Sequence, residues 1–393
     1  MPSIKSKVIH ASFTSSNTES TSAYEPEVLL RVVNRVAIIT LNRPTKSNSL
    51  SNEMICEITS LVEQCRVDDN IVALILRGAG ESGFCAGGDV DEIYQSVTCG
   101  DSRWRQFFVD EYRLDHALHV FPKPVVSLMD GIVVGGGMGL AQGADLRVVT
   151  ERTKIAMPET KMGFFPDSGA TRFLNAMPIE YALYVGLTGA TISGADAVCL
   201  RLADLCVRSG WLSTFEERLK RMSTEGDLLN SLRKVFEPPC NVVPHAPLAS
   251  SSQLVLRHFD RYSSIDRTIA TLQRDLESEP PREVRQWLQT AQNAMRSHSP
   301  AMLYVTREAL IRGRGMTLAE CLRMELSIGQ RVIEDGDFLV GVRALLIERG
   351  SSPRWTPATL REVRPERVRH FFVSPWRGDA HPLRDLGIKA VTA

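Results

Sequence analysis

No CxxC pair occurs among the chain's eight cysteines and no HExxH among its eight histidines, so neither a structural zinc site nor a zinc-hydrolase helix is signalled. Scattered thiols of this kind suit a reduced intracellular protein rather than a disulfide framework. His116 and His119 lie three apart but lack a third ligand at metal-binding spacing, and no metal is expected. No run of eighteen apolar residues is present, so no membrane span or membrane partner is expected. An excess of either charge is missing as well. The 46 basic and 46 acidic side chains give a pI near 7.1, without the positive field that drives nucleic-acid binding. GxxxxGK[ST], a correctly spaced GxGxxG and GxSxG are all absent, which removes phosphate-loop, dinucleotide and serine-elbow readings.

What is present is an ordinary folding composition, 43% hydrophobic and 23% charged, in 393 residues, enough for one sizeable core or two small ones. Residues 1–27 are rich in Ser and Thr and carry Lys5 and Lys7, no arginine, and Glu19, Glu25 and Glu27. They read as a flexible arm, with no apolar stretch of a secretory signal. A cytoplasmic location is expected, or the mitochondrial matrix if the source is eukaryotic and the arm is a presequence.

From residue 28 to about 210 the pattern is mixed α/β. Val28 to Val33 and Val36 to Leu41 read as a hairpin around Asn34-Arg35, although the turn lacks the usual glycine. Ser51 caps a helix whose apolar positions run from Met54 to Cys65. Ile71 to Leu76 and Val125 to Met129 are short, continuously apolar strands of the doubly buried kind, and Leu146 to Thr150 and Lys154 to Met157 follow. Asp101 to Val120 is helical, with Glu111 one turn beyond Phe107 and Phe108 on the apolar side. Two further helices are expected at Ile179 to Leu187 and Ser193 to Leu200. The prolines and serines of 225–252 suggest a loop or linker. Residues 211–365 are otherwise mainly helical, His298-Ser299-Pro300 marks a stop and restart, and 366–393 form a tail that packs as a loop or frays.

Three places could carry chemistry. Phe84-Cys85-Ala86-Gly87-Gly88-Asp89 and Gly135-Gly136-Gly137-Met138-Gly139 each follow a strand and precede a helix, so their backbone N–H groups can meet a ligand. If the two loops converge they form a two-donor oxyanion hole; otherwise they are two packing turns. Met157-Pro158-Glu159-Thr160 and Phe165-Pro166-Asp167-Ser168 set two carboxylates eight residues apart among apolar neighbours, where burial would raise their pKa toward the range of acid/base work. The plainer alternatives are a salt-bridged Glu159 and an Asp167 that caps the helix starting near Gly169.

With Asn42-Arg43-Pro44 and Asn48-Ser49-Leu50, these motifs in this order resemble the crotonase (enoyl-CoA hydratase/isomerase) superfamily over roughly residues 28–210. Phe107 to Tyr112, the string from Met157 to Asp167, and Asp337-Phe338, Gly341-Val342-Arg343-Ala344 and Pro353-Arg354-Trp355 resemble its 3-hydroxyisobutyryl-CoA hydrolases to about residue 365. The resemblance implies an α/β fold, a crotonase-type spiral of ββα units with a helical C-terminal region, and an acyl-CoA substrate with no separate cofactor. It implies oxyanion-hole donors at Ala86 and Gly136, catalytic carboxylates Glu159 and Asp167, and substrate contacts from Lys46, Gly87, Asp89 and Glu111. A homo-oligomer is compatible with it. Hydratases of the family carry a second glutamate where this chain has Gly139, so thioester hydrolysis is expected rather than hydration. Two departures, Pro-Asp-Ser-Gly-Ala for Pro-Asp-Val-Gly-Gly and Val340 for Glu before Gly341-Val342-Arg343, leave the acyl group open. The alternatives are an enoyl-CoA hydratase or isomerase and a non-catalytic binding protein of the same fold.

Overall fold

The computed structural model describes residues 25–240, 245–348 and 351–388. It begins with strands β1 (Val28–Val33) and β2 (Val36–Leu41), an antiparallel pair with Val33 opposite Val36. Asn34 and Arg35 both have positive φ, the geometry a two-residue hairpin requires. No glycine is needed because Asn34 Nδ2 donates to Leu219 O and Met222 O, both at 2.8 Å, and so fixes the turn from outside. Ser51 then accepts from Met54 N at the start of α1 (Asn52–Val67), as its position predicts.

The chain next lays down alternating long and short strands, and this alternation builds two sheets. The long strands β3 (Ala73–Gly78), β5 (Val125–Met129) and β7 (Leu146–Thr150) join the hairpin in a six-stranded sheet of order β1-β2-β3-β5-β7-β10, where β10 is Leu205–Val207. The short strands β4 (Gly83–Cys85), β6 (Ile132–Val134), β8 (Lys154–Ala156) and β9 (Ile192–Ser193) make the second sheet in that order. Helices α2 (Val90–Cys99), α3 (Arg103–His119), α4 (Gly136–Gln142), α5 (Ala170–Phe173), α6 (Ile179–Thr188) and α7 (Gly194–Cys199) complete the turns. This is the expected spiral of ββα units. Strand β3 starts two residues later than its apolar run suggests, since Val72 N is still engaged with Arg35 O before the ladder begins.

Both faces of the larger sheet are covered, so its strands are apolar throughout. Ile39, Leu74, Leu76 and Val125 face the main core, while Ile38, Ile75, Val126 and Val148 face a smaller cluster with Phe215, Leu232 and Phe236. That second cluster corrects the reading of 225–252 as loop. Asp227 accepts from Asn230 N and caps a helix, Leu228–Phe236, whose Leu232, Val235 and Phe236 lie under the sheet; the prolines begin only after it. In order, α8 (Ser209–Leu212), α9 (Phe215–Leu219), α10 (Leu228–Phe236), α11 (Pro247–Ser250), α12 (Ser252–His258) and α13 (Ile265–Glu277) precede the C-terminal helices. Those are α14 (Arg282–Ser297), α15 (Pro300–Gly313), α16 (Leu318–Asp335), α17 (Phe338–Val342) and α18 (Pro365–Phe371). His298-Ser299-Pro300 separates α14 from α15, with Ser299 accepting from Met302 N. The tail packs: Leu383 and Leu386 are buried, and Arg113 grips Asp385 and Pro382 O. Among the described residues no helix is long and apolar enough to cross a membrane.

One buried side chain ties the first turn of the spiral together. Asn48, fully buried with φ of 57°, donates to Ala79 O and Gly83 O at 2.9 Å each and accepts from Arg43 N at 2.9 Å. Asn48→Ala would leave three enclosed backbone groups without partners, at about 1–3 kcal/mol for each group that water cannot reach. Denaturant unfolding of Asn48→Ala should therefore show a loss of about 3 kcal/mol or more, and an unchanged midpoint would contradict this role.

Candidate active site

The two glycine-rich loops do converge. Leu50 pairs with the first loop through Leu50 N to Gly87 O and Asp89 N to Leu50 O, both at 2.8 Å. In such an extended pairing alternate residues face opposite ways, so the Gly88 N–H points away from Leu50. On that side lies the start of α4: a Cβ placed on Gly136 would sit 3.6 Å from Gly88 N. The Gly136 N–H belongs to the first turn of its helix and has no carbonyl behind it. The expectation for Ala86 is corrected, because its N–H is committed to Ser47 O at 3.0 Å. Gly88 and Gly136 are the two donors that face one pocket.

That pocket, about 510 Å³ counted with its mouth, lies within the usual range for a small-molecule site. Phe107 and Phe108 of α3, Phe164 and Phe338 form its apolar wall, with Phe108 stacked on Phe164 at 5.7 Å. Gly87, Glu111, Glu159, Asp167 and Ser168 line it too. Glu111 comes so close to α4 that a Cβ on Gly136 would lie 2.0 Å from its Oε1, which leaves room only for glycine there. Glu159 opens a single 3-10 turn, Glu159–Met162, behind Pro158. Asp167 stands in the following loop and accepts from the Tyr112 hydroxyl at 2.5 Å.

Five carboxyl groups are buried within this region: Glu111, Asp115, Glu159, Asp167 and Glu325. Burial, and then the charge on Asp167, holds Glu111 and Glu159 well above the ordinary carboxylate range. Burial pushes Asp167 up to about 7 against the pull of the Tyr112 hydroxyl, and Glu325 up to about 8 against the pull of Thr171 and Gly169. Glu111 Oε1, Glu159 Oε2 and both oxygens of Asp115 have no hydrogen-bond partner among the described residues. Glu159 is therefore not locked into a salt bridge. Nor does Asp167 cap the next helix with its side chain: the Gly169 and Thr171 N–H groups go to Glu325 instead.

Two expected substrate contacts lie outside the pocket. Asp89 accepts from Arg43 at 2.7 Å and caps α2 through Glu92 N, so its carboxylate holds the loop rather than a ligand. Lys46 is half exposed, 3.7 Å from Asp91, on a separate groove shared with Arg43 and Glu92. Tyr112, Asp115 and Glu325 were missed by sequence reasoning. Each falls at helical spacing on an apolar stripe, Asp115 one turn beyond Glu111 and Glu325 among Cys321, Leu322 and Ile328, which is the same signal that singled out Glu111.

Gly139 offers no space for an additional acid. A Cβ there would meet Ser168 Cβ at 2.6 Å, Ser168 O at 2.7 Å and Asp115 Oδ2 at 2.7 Å. A glutamate introduced at 139 would displace the Asp167 loop instead of joining the site.

The fold and this paired-loop pocket define a crotonase-type protein. A family model described as enoyl-CoA hydratase/isomerase matches residues 36–372, and the chain belongs to that family. It is 36% identical over 352 residues to the mitochondrial 3-hydroxyisobutyryl-CoA hydrolase of Gallus gallus, covering 88% of each chain. It is 32% identical over 355 residues to the small ribosomal subunit protein mS47 of Neurospora crassa, covering 87% of this chain and 70% of that one. Among solved structures, a carnitinyl-CoA dehydratase from Mycobacterium thermoresistibile superposes with a TM-score of 0.80 at 33% identity, over 92% of this chain and 99% of that one.

The raised carboxyls have a measurable consequence. Asp167 holds its proton more tightly folded than unfolded, so its stabilising contribution is complete below 3.8 and is lost as pH rises through about 7. Asp167→Asn has no proton to lose. Its melting temperature relative to wild type should rise between about pH 4 and pH 7, by at most about 1.4 kcal/mol per pH unit, and level off above. A pH-independent difference would show that Asp167 is not held protonated.

Proposed function

We propose that the chain hydrolyses the thioester of a short hydroxylated or branched acyl-CoA, of the 3-hydroxyisobutyryl kind, to the free acid and CoA. The observation that carries this reading is a glutamate with an unpartnered oxygen facing the pocket beside two backbone N–H groups, while α4 has no room for a second carboxylate. In this reading the thioester oxygen lies between the Gly88 and Gly136 N–H groups, which stabilise the charge it gains as the carbonyl carbon becomes tetrahedral. Glu159 takes the proton of the attacking water, or attacks the carbon itself to give an anhydride that water then opens. Either way the C–S bond breaks, CoA leaves as its thiolate and one water is consumed. Asp167 orients the water or the substrate hydroxyl. Glu111, kept protonated by its apolar wall, donates to that hydroxyl. CoA enters as part of the substrate, and no cofactor takes part. The mitochondrial location in the chicken relative's name is carried over to this chain as part of the proposal.

Two other readings have support. The names of the solved relatives favour hydration or dehydration, and the ribosomal relative favours an assembly role for this fold. Glu159→Gln should cut the rate of CoA release at least about a hundredfold with acyl-CoA affinity retained, as loss of a base or nucleophile does; near wild-type turnover would remove Glu159 from the reaction. The wild-type protein should also hydrate crotonyl-CoA negligibly beside its best hydrolysis. Comparable hydration would favour the hydratase, and no turnover across a panel of acyl-CoAs would favour the assembly role.

A further inference from the structure

Helix α16 belongs to the C-terminal region, yet one of its side chains ends beside the pocket loop. Glu325 is fully buried. Its Oε2 accepts from Gly169 N at 2.7 Å, and its Oε1 accepts from Thr171 N at 2.8 Å and from Thr171 Oγ1 at 2.5 Å. These three donors sit immediately after Asp167, in a stretch where Ser168 and Gly169 both take positive φ, 54° and 84°. Positive φ is unfavourable for a serine and persists only where the surroundings impose it. Two anchors supply that imposition: Tyr112 of α3 grips the Asp167 side chain, and Glu325 of α16 grips the backbone on its far side.

We infer that Glu325 is a positioning residue for the proposed hydrolysis, fixing the 167–171 turn so that Asp167 and Ser168 face the acyl pocket; this rests on the hydrolase reading given above. A carboxylate suits the task because its two oxygens can accept all three bonds at once, which a glutamine cannot do with a single acceptor oxygen. A hydrophobic residue would leave two buried N–H groups without acceptors. The titratable groups that face Glu325 are Asp167 on the loop, Asp115 and Tyr112 on α3, and Cys321 one turn earlier on its own helix. Loss of the Glu325 charge removes a repulsion felt by Asp167, and loosening of the turn admits water to it. Both changes favour the ionised form of Asp167, so its titration moves to lower pH.

The test compares Glu325→Gln and Glu325→Ala with wild type, using 3-hydroxyisobutyryl-CoA for kinetics and carbonyl-¹³C-labelled aspartate, assigned with Asp167→Asn, for titration. Glu325→Ala should lower kcat at least about thirtyfold with KM within about threefold, and Glu325→Gln should fall between it and wild type. In both variants the Asp167 midpoint should move down by at least about half a pH unit. Where Glu325→Ala does not fold, Glu325→Gln alone decides. A folded variant with wild-type kcat and an unmoved Asp167 midpoint overturns the inference, as does a loss confined to thermal stability. The titration needs no substrate: if wild type releases no CoA from any thioester, the hydrolase reading fails, whereas the midpoint still reports whether Glu325 governs Asp167.

Discussion

Enclosing carboxyl groups in an apolar wall with no cation beside them is the constraint from which the rest of this site follows. An ionised carboxylate in such surroundings is expensive, and proteins meet the cost by keeping the proton or by surrounding the oxygens with donors. Both solutions are present within a few residues of each other. Glu111, Asp115 and Glu159 have oxygens without donors and hold their protons, whereas Glu325 collects three donors and Asp167 one. The difference divides the cluster into groups free to meet a ligand and groups that hold the frame.

Absence of side chains is what allows this crowding. Helix α4 begins with glycines, so Glu111 can reach across it at Gly136, and the Asp167 loop can press against it at Gly139. The backbone donors, the carboxylates and the aromatic wall therefore come from separate elements that touch without intervening methyl groups. Close packing of this kind fixes relative positions to fractions of an ångström, as a preorganised site requires.

Much of the fold could be read from the chain, since its strands are buried on both faces and its helices on one. Val125–Met129, Leu146–Thr150 and the Ser51-capped helix stand where their apolar patterns put them. Leu228–Phe236 was obscured by nearby prolines, which belong to the next segment. Within the site, the motifs identified the two loops and Glu159, Asp167 and Glu111. They did not show which amide of the first loop is free. That depends on the pairing register between Leu50 and Gly88, and a shift of one residue exchanges a committed N–H for an open one. Glu325 was illegible for a related reason: its partners lie 156 positions away, and nothing local marks a mid-helix glutamate as the acceptor for a distant turn.

That separation bears on how the molecule is made. The chain is synthesised from its N-terminus, so the two glycine loops, Glu159 and Asp167 all leave the ribosome while α16 is still untranslated. Until Glu325 has emerged and α16 has docked, the turn after Asp167 has only one of its two anchors. The nascent spiral can acquire its sheets and its pocket walls early, but the last element to be translated past residue 325 sets the moment at which the site takes its working geometry. A half-made chain could thus contain every pocket-lining residue except Phe338 and still lack an ordered site.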